Sequence, residues 1–135
     1  MKPEHQRLAR DLGAVWVGGA SDRLPNKLHS SIIFAPEGEL VPPALRSLER
    51  GGMLALAGIH MTPIPSLDYD REVFGEKVIQ SVTANTRQDG LDLLCEAAAI
   101  PIKPQTQSFS LAEANRAMQD LKAGRYSEAG VLVLS

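Results

Sequence analysis

Cysteine is nearly absent from this sequence: Cys95 is the only one among 135 residues. An internal disulfide is therefore impossible, and no zinc cage can be built from cysteines. The three histidines, His5, His29 and His60, are far apart in the chain, so no metal-ligand spacing is expected. There is also no excess of one charge. Fourteen Lys and Arg against sixteen Asp and Glu leave a net charge of −2, and the basic residues form no stripe. That balance argues against a nucleic-acid binder, which works by neutralising phosphates. Long apolar runs are missing too. Nothing approaches the length of a membrane span, and the polar start Met1–Gln6 lacks the apolar region of a signal peptide. A cytoplasmic protein, with neither nucleic acid nor membrane as partner, is expected.

What is present is ordinary for a globular domain, 44% hydrophobic and 22% charged, in a chain long enough for one domain with a core. There is no repeat, low-complexity tract or clear linker. The chain is organised around Leu48–Met61. A charged helix end runs into Gly51-Gly52, a helix-stopping pair. The uninterrupted apolar run Met53–Ala57 then suits a strand buried on both faces of a parallel sheet. Gly58 stands where that strand closes. In open α/β sheets ligands bind beyond the carboxyl ends of the strands, so Gly58-Ile59-His60 is the first candidate site.

In chain order, residues 4–12 read as a short helix capped by Gly13, and Ala14–Val17 as a strand. Residues 18–27 read as a polar loop, and Leu28–Phe34 as the next strand. A helix is expected over Leu40–Arg50 on the stripe Val41, Ala44, Leu45 and Leu48, with Pro42 and Pro43 in its first turn. Thr62–Ser66 is irregular, and Leu67–Phe74 is ambiguous between loop and short helix. Its carboxylates Asp68, Asp70 and Glu72 read as a solvated cluster. Lys77–Ala84 suits an edge strand, with polar Gln80 and Ser81. Thr86 caps a helix reaching Ala99, with Leu91, Leu94, Cys95 and Ala98 as its apolar stripe and Cys95 as a small buried hydrophobe. Thr106–Phe109 reads as a strand. Ser110 and Glu113 form a capping box for a helix ending at Gly124, and Val131–Leu134 is a last strand. The alternation argues an α/β fold with a mainly parallel sheet. The strand–helix–strand tail after Lys103 is a candidate for a sheet of its own.

Several blocks carry a resemblance. They are Ala9–Ala14, Ile32–Pro36, Gly51–Met61, Ser81–Arg87, Leu111–Asn115, Leu121–Arg125 and Gly130–Leu134. In this order they resemble the C-terminal part of the medium-chain, zinc-binding alcohol dehydrogenase family over nearly the whole chain. The departures are as telling. The family's Gly-x-Gly-x-x-Gly turn has no counterpart here, nor does its zinc-bearing catalytic domain, and His29 follows Leu28 where the family usually places an aspartate. The resemblance implies a Rossmann-like sheet that is incomplete, lacking the first two strands. Residues 1–102 would be the later part of a dinucleotide-binding domain, and 103–135 the tail that returns to the catalytic domain. The chain then reads as a truncated product or a fragment. NAD or NADP and zinc belong to the intact family; here cofactor binding is expected to be weak or absent, and the isolated chain inactive.

The same resemblance places Ala35, Gly58, Ile59 and Asn85 near the nicotinamide half of the dinucleotide. Gly58 suits a close approach of backbone to ligand, or it is a plain strand-ending turn. Arg87 is a candidate partner for the pyrophosphate, or a solvated arginine at a helix start. His60 is a candidate ribose or proton-relay contact, or an exposed loop residue. No catalytic residue and no metal ligand can be named, and no nucleophile–base arrangement follows from spacing. With strands one and two missing, Leu28–Phe34 is expected to show an open edge, filled by Ala14–Val17 or by another chain. Lys77–Ala84 resembles a strand that pairs across a two-fold axis, so a homodimer or larger oligomer is expected, disrupted by Val78→Pro or Val82→Pro. The rival reading is a non-catalytic dimerising module or small-molecule binder on the same fold.

Overall fold

The computed structural model describes residues 3–83, 85–100, 102–126 and 128–134. They form two compact units, residues 1–84 and 85–135.

The first unit opens with helix α1, Pro3–Asp11. It ends where Gly13, at φ +97°, donates to Arg10 O, a left-handed turn that glycine adopts without penalty. No strand follows. Ala14–Val17 is irregular and Val15 is fully exposed, so the expected strand is corrected to loop. An apolar stretch this short cannot hold strand geometry without a strand to bond, and among the described residues none pairs with it.

Three parallel strands come next, in the order β1 (Leu28–Ile33), β2 (Leu48–Leu56) and β3 (Val78–Ser81). A turn of 3-10 helix, Gly38–Leu40, leads into helix α2, Val41–Ser47. This helix is shorter than the expected Leu40–Arg50. Leu48 is already extended, at ψ 150°, and pairs with Leu28. Its side chain is buried with Ile33, Val41, Leu45 and Leu54 in the core. Burial of that leucine from a strand therefore overrides helix continuation. Gly51 is not a helix cap. At φ +71° it sits in the irregular stretch of β2, between the pairs Leu28–Leu48 and Ser30–Met53, and donates to Gly75 O at 2.8 Å. The extra residues on β2 form a bulge, and glycine supplies its left-handed residue.

Side chains alternate across the sheet. Ile33, Leu54 and Leu56 face α2 and Ile32, Met53 and Val78 the other side, where each stays substantially exposed. Ala57 N donates to Ile33 O and Val82 N to Leu56 O, both at 2.9 Å. In a parallel ladder successive residues turn their backbone groups to opposite neighbours. Val78, Gln80 and Val82 thus bond toward β2, whereas Ile79 and Ser81 face outward. Proline at Val78 or Val82 would damage the sheet itself, so the outward positions are the correct ones for probing that edge.

The ambiguous stretch 67–74 holds one π-helical turn, Tyr69–Val73. Its acidic cluster is not uniformly solvated. Asp68 and Asp70 are exposed, but Glu72 is buried at 3% exposure. Its carboxylate accepts from Arg46 on α2 and from the Asp68 amide at 2.7 Å. Two lysines close the same end of α2: Lys77 Nζ donates to Leu45 O at 2.8 Å, and Lys27 Nζ donates to Arg46 O. Cations suit the carbonyl end of a helix.

The second unit begins with helix α3, Arg87–Ala99, capped by the Thr86–Asp89 box. None of its described residues is buried, Leu91 and Leu94 are more than half exposed, and Cys95 is exposed. The reading of Cys95 as a buried hydrophobe is thereby corrected: the apolar stripe exists, but its unit offers no surface to cover it. Strands β4 (Thr106–Ser110) and β5 (Ala129–Val133) pair in parallel around helix α4, Ala114–Lys122. Phe109 and Ala117 are buried between them, and the Tyr126 ring stands 5.5 Å from that of Phe109. Tyr126 OH donates to Ala117 O at 3.1 Å. Gly130 leaves room for this ring, because a Cβ would lie 2.7 Å from that hydroxyl and push it aside.

Candidate functional site

Because β1 and β2 are parallel, their carboxyl ends open on the same side, and the segments that follow fold against each other. Gly58 is the pivot. A Cβ on it would stand 3.2 Å from His60 O and 3.6 Å from both Ala35 O and Phe34 O. Only the approach to His60 O is tighter than ordinary contact, so a side chain here would need that carbonyl to shift by a few tenths of an ångström, while the Ala35 and Phe34 carbonyls of the other strand exit stay at contact distance. Thr62 N then donates to Pro36 O at 3.1 Å, and Gly38 N donates to Thr62 Oγ1 at 2.8 Å. Gly38 is buried beneath this crossing; a Cβ there would overlap Thr62 O and Pro63 O at 2.5 and 2.4 Å.

The structure thus brings Ala35, Gly58, Ile59 and His60 together at one end of the sheet. Ile59 is 94% exposed and His60 is also exposed. The surface there offers carbonyls, an exposed apolar side chain and an exposed imidazole. Asn85 and Arg87 belong to the second unit and are exposed. Arg87 opens α3, where the Asp89 carboxylate accepts from Thr86 N at 2.6 Å and Thr86 Oγ1 at 2.7 Å. These hydrogen bonds hold the Asp89 carboxyl below its ordinary 3.8, so an anion already serves the helix start and offsets the cation of Arg87. Ala84 lies outside the described residues.

Sequence reasoning missed a concavity elsewhere in the first unit. A polar cavity of about 790 Å³ borders α2 and is lined by Arg23, Lys27, Glu39, Arg46, Ser66 and Glu72 among others. Burial, and then the nearby Lys27 ammonium, push the Lys77 amine below its ordinary 10.5. The only sequence signal for this cluster is the recurrence of charges at the ends of α2 and in Asp68–Glu72. Among the described residues, no group of three or more His, Cys, Asp or Glu side chains could hold a metal ion. No helix among the described residues is long and apolar enough to cross a membrane.

The parallel sheet, the βαβ crossover and the glycine turn at the strand exits define a Rossmann-like α/β fold. Solved structures agree on that fold. The alcohol dehydrogenase of Aeropyrum pernix superposes with a TM-score of 0.77 at 20% identity, over 99% of this chain and 41% of that one. Bacillus subtilis yhfP, solved with NAD bound, gives 0.75 at 15% identity, over 98% of this chain and 45% of that one. No protein-family model matches the chain. In sequence it is 47% identical over 129 residues to a probable alcohol dehydrogenase, AdhA, of Mycobacterium tuberculosis, covering 96% of this chain and 37% of that protein. An alcohol dehydrogenase of Geobacillus stearothermophilus is 28% identical over 140 residues, covering 97% of this chain and 41% of that protein. Over almost its whole length the chain is thus similar in sequence to part of an alcohol dehydrogenase. It spans about two fifths of the length of the curated relatives it matches.

Proposed function

We propose that the chain supplies part of the NAD(P)-binding surface of an alcohol dehydrogenase and does not itself oxidise alcohols. The observation that carries this reading is the Gly58 pivot, which holds Ala35, Ile59 and His60 at the strand exits, where ligands bind in open α/β sheets. In this reading Ala35, Gly58 and Ile59, with Asn85, contact the nicotinamide half, His60 offers a ribose or proton-relay contact, and Arg87 pairs with the pyrophosphate. Hydride transfer between alcohol and carbonyl, with zinc polarising the oxygen, remains the chemistry of the intact family. Residues 103–135 correspond to the return toward the catalytic domain, and a cytoplasmic location fits the composition.

Titration calorimetry with NAD and NADP tests the site. Weak binding is expected, weakened further by Arg87→Ala, about tenfold if one charge-assisted contact is lost. Equal affinity of wild type and variant removes Arg87 from the site, and zinc-dependent turnover by the chain alone overturns the reading of inactivity. The proposal includes a homodimer through the Lys77–Ala84 edge. Sedimentation equilibrium should show it, and Ile79→Pro, which deletes an outward donor, should dissociate it. A wild-type monomer at micromolar concentration sinks the dimer.

A further inference from the structure

The polar cavity beside α2 takes no part in the proposed dinucleotide surface. Two of its cations sit at the amino ends of the strands. Lys27 directly precedes β1, and Arg46 lies in the last turn of α2, just before β2. The Gly58 turn follows the opposite, carboxyl end of β2. Arg23, Lys27 and Arg46 line the cavity together with Asp22, Glu39 and Glu72. The formal charges balance, but the free hydrogen-bonding capacity does not. Asp22 accepts from Gly19 N at 2.6 Å, and Glu72 accepts from Arg46 and from the Asp68 amide. Both carboxylates are thus engaged within the protein. Arg23 is exposed, and among the described residues no hydrogen bond or ion pair engages it. Arg46 gives Nη1 to Glu72 while its side chain stays half exposed, and Lys27 Nζ gives one hydrogen to Arg46 O. Both keep further N–H groups for another acceptor. Burial first, and then Lys27, hold the neighbouring Lys77 amine below its ordinary 10.5, and the opposing pull of Glu72 is weaker than either. Positive potential therefore remains around the end of α2.

We infer that this cavity is a second ligand site, which takes a small organic polyanion on Arg23, Lys27 and Arg46. A guanidinium presents paired N–H groups that match the oxygens of a carboxylate or a phosphate, and an ammonium adds a point charge. That oxyanion chemistry, common to both groups, is what the site reads. The volume of about 790 Å³ sets the size class. It falls within the roughly 300–1,000 Å³ of small-molecule sites, far more than a bare inorganic ion fills. Glu72 is a positioning residue here. Buried at 3% exposure, it fixes one end of the Arg46 guanidinium, so the rest of the fork meets the ligand already oriented. Residues 20–27 supply Arg23 and Lys27 and α2 supplies Arg46, so a bound anion ties that loop to the helix. Glu39 is the remaining carboxylate and is exposed. It faces the anion as a like charge and limits its affinity. The inference rests neither on dinucleotide binding nor on the alcohol dehydrogenase reading.

The test titrates the 135-residue chain at low salt with citrate, with inorganic pyrophosphate and, as an uncharged control, with sucrose. Calorimetry should show saturable binding of at least one anion, and the ranking of the two assigns the carboxylate or the phosphate class. Amide resonances of residues 21–27 and of Arg46 and Ser47 should shift, with those of Gly58–His60 unmoved. Arg23→Gln removes a cation that has no structural partner and should weaken binding about tenfold. Glu39→Gln removes the like charge and should tighten it about threefold, a gain that damage to the fold would not produce. Absence of saturable binding up to about 10 mM overturns the inference. So does equal affinity in Arg23→Gln, weaker affinity in Glu39→Gln, or sucrose binding as tightly as the anions. Shifts that fall on Gly58–His60 instead, or displacement of citrate from residues 21–27 by NAD, would merge the two sites and equally overturn it. Failure of NAD to bind, with citrate or pyrophosphate binding intact, would sink the proposed function and leave this inference standing.

Discussion

The two units hold themselves together by different means. The first relies on an aliphatic cluster packed between α2 and the sheet, Ile33, Val41, Leu45, Leu48 and Leu54, and on Glu72 meeting Arg46 across 26 positions. The second relies on one strand pair, β4 with β5, and on local caps. Thr86 with Asp89 and Ser110 with Glu113 each close a box over three residues, and Tyr126 reaches Ala117 across nine. Aliphatic burial and a charge lock serve one; local caps and one aromatic pair serve the other. A unit built on a buried aliphatic cluster has more to lose from a single core deletion, and a unit built on caps is more exposed to acid.

Core truncation is the strongest way to test that contrast. Leu54 is fully buried, so Leu54→Ala should destabilise the first unit by about 3 kcal/mol through lost transfer energy and a residual cavity. Phe109→Ala should unfold the second unit by a similar amount. Two separate losses of hydrogen-exchange protection, one per variant, would sharpen the division, and a single shared loss would break it.

A smaller effect is expected at the charge lock. Arg46→Ala leaves the Glu72 carboxylate buried without its cation, whereas Glu72→Gln removes the charge itself. The first should cost about 2 kcal/mol, discounted because the Arg46 side chain is half exposed, and the second less. Urea unfolding of both variants checks the order; a larger loss for Glu72→Gln would reverse it.

The smallest effect is acid sensitivity of the second unit. Hydrogen bonds from Thr86 to Asp89, and from Ser110 to Glu113, hold both carboxyls below their ordinary 3.8 and 4.5. Carboxylates lowered in the folded state stabilise fully above those ordinary values, and the contribution fades as pH falls through the lowered ones. Circular dichroism should therefore show helix lost from α3 and α4 below about pH 4, with Asp89→Asn flattening the part due to α3. A pH-independent signal down to pH 2 would remove the caps from the comparison.

The same division explains what was legible in the sequence. The boxes at Thr86 and Ser110, the strand cores Ile32-Ile33 and Met53–Leu56, and the turns at Gly13 and Gly124 are local patterns, and reading along the chain finds them. The end of α2 was misread because the burial of Leu48 depends on β1, far away in sequence. Burial of Glu72 was missed because its partner Arg46 carries no mark of the pairing. Cys95 sits on a true apolar stripe, but a stripe says only that a helix could be covered, not that its own unit covers it. At the candidate site, the place of Gly58 at a strand exit was legible because a glycine closes a short apolar run there. The cavity beside α2 was not, because its lining comes from segments with no shared motif.

The arrangement of the first core has a consequence for timing during synthesis. Ile33, Val41, Leu45, Leu48 and Leu54 all fall within 22 consecutive residues. Once Leu54 clears the ribosome, the whole aliphatic cluster can assemble around a single βαβ crossover. Glu72 emerges roughly 1–4 s later at ~5–20 residues per second. During that interval the nascent chain carries Arg46 without its carboxylate and β2 without its third-strand neighbour. The order of emergence makes the cluster the seed and the charge lock the latch, so slowing translation between codons 54 and 72 would lengthen the life of an unlatched intermediate.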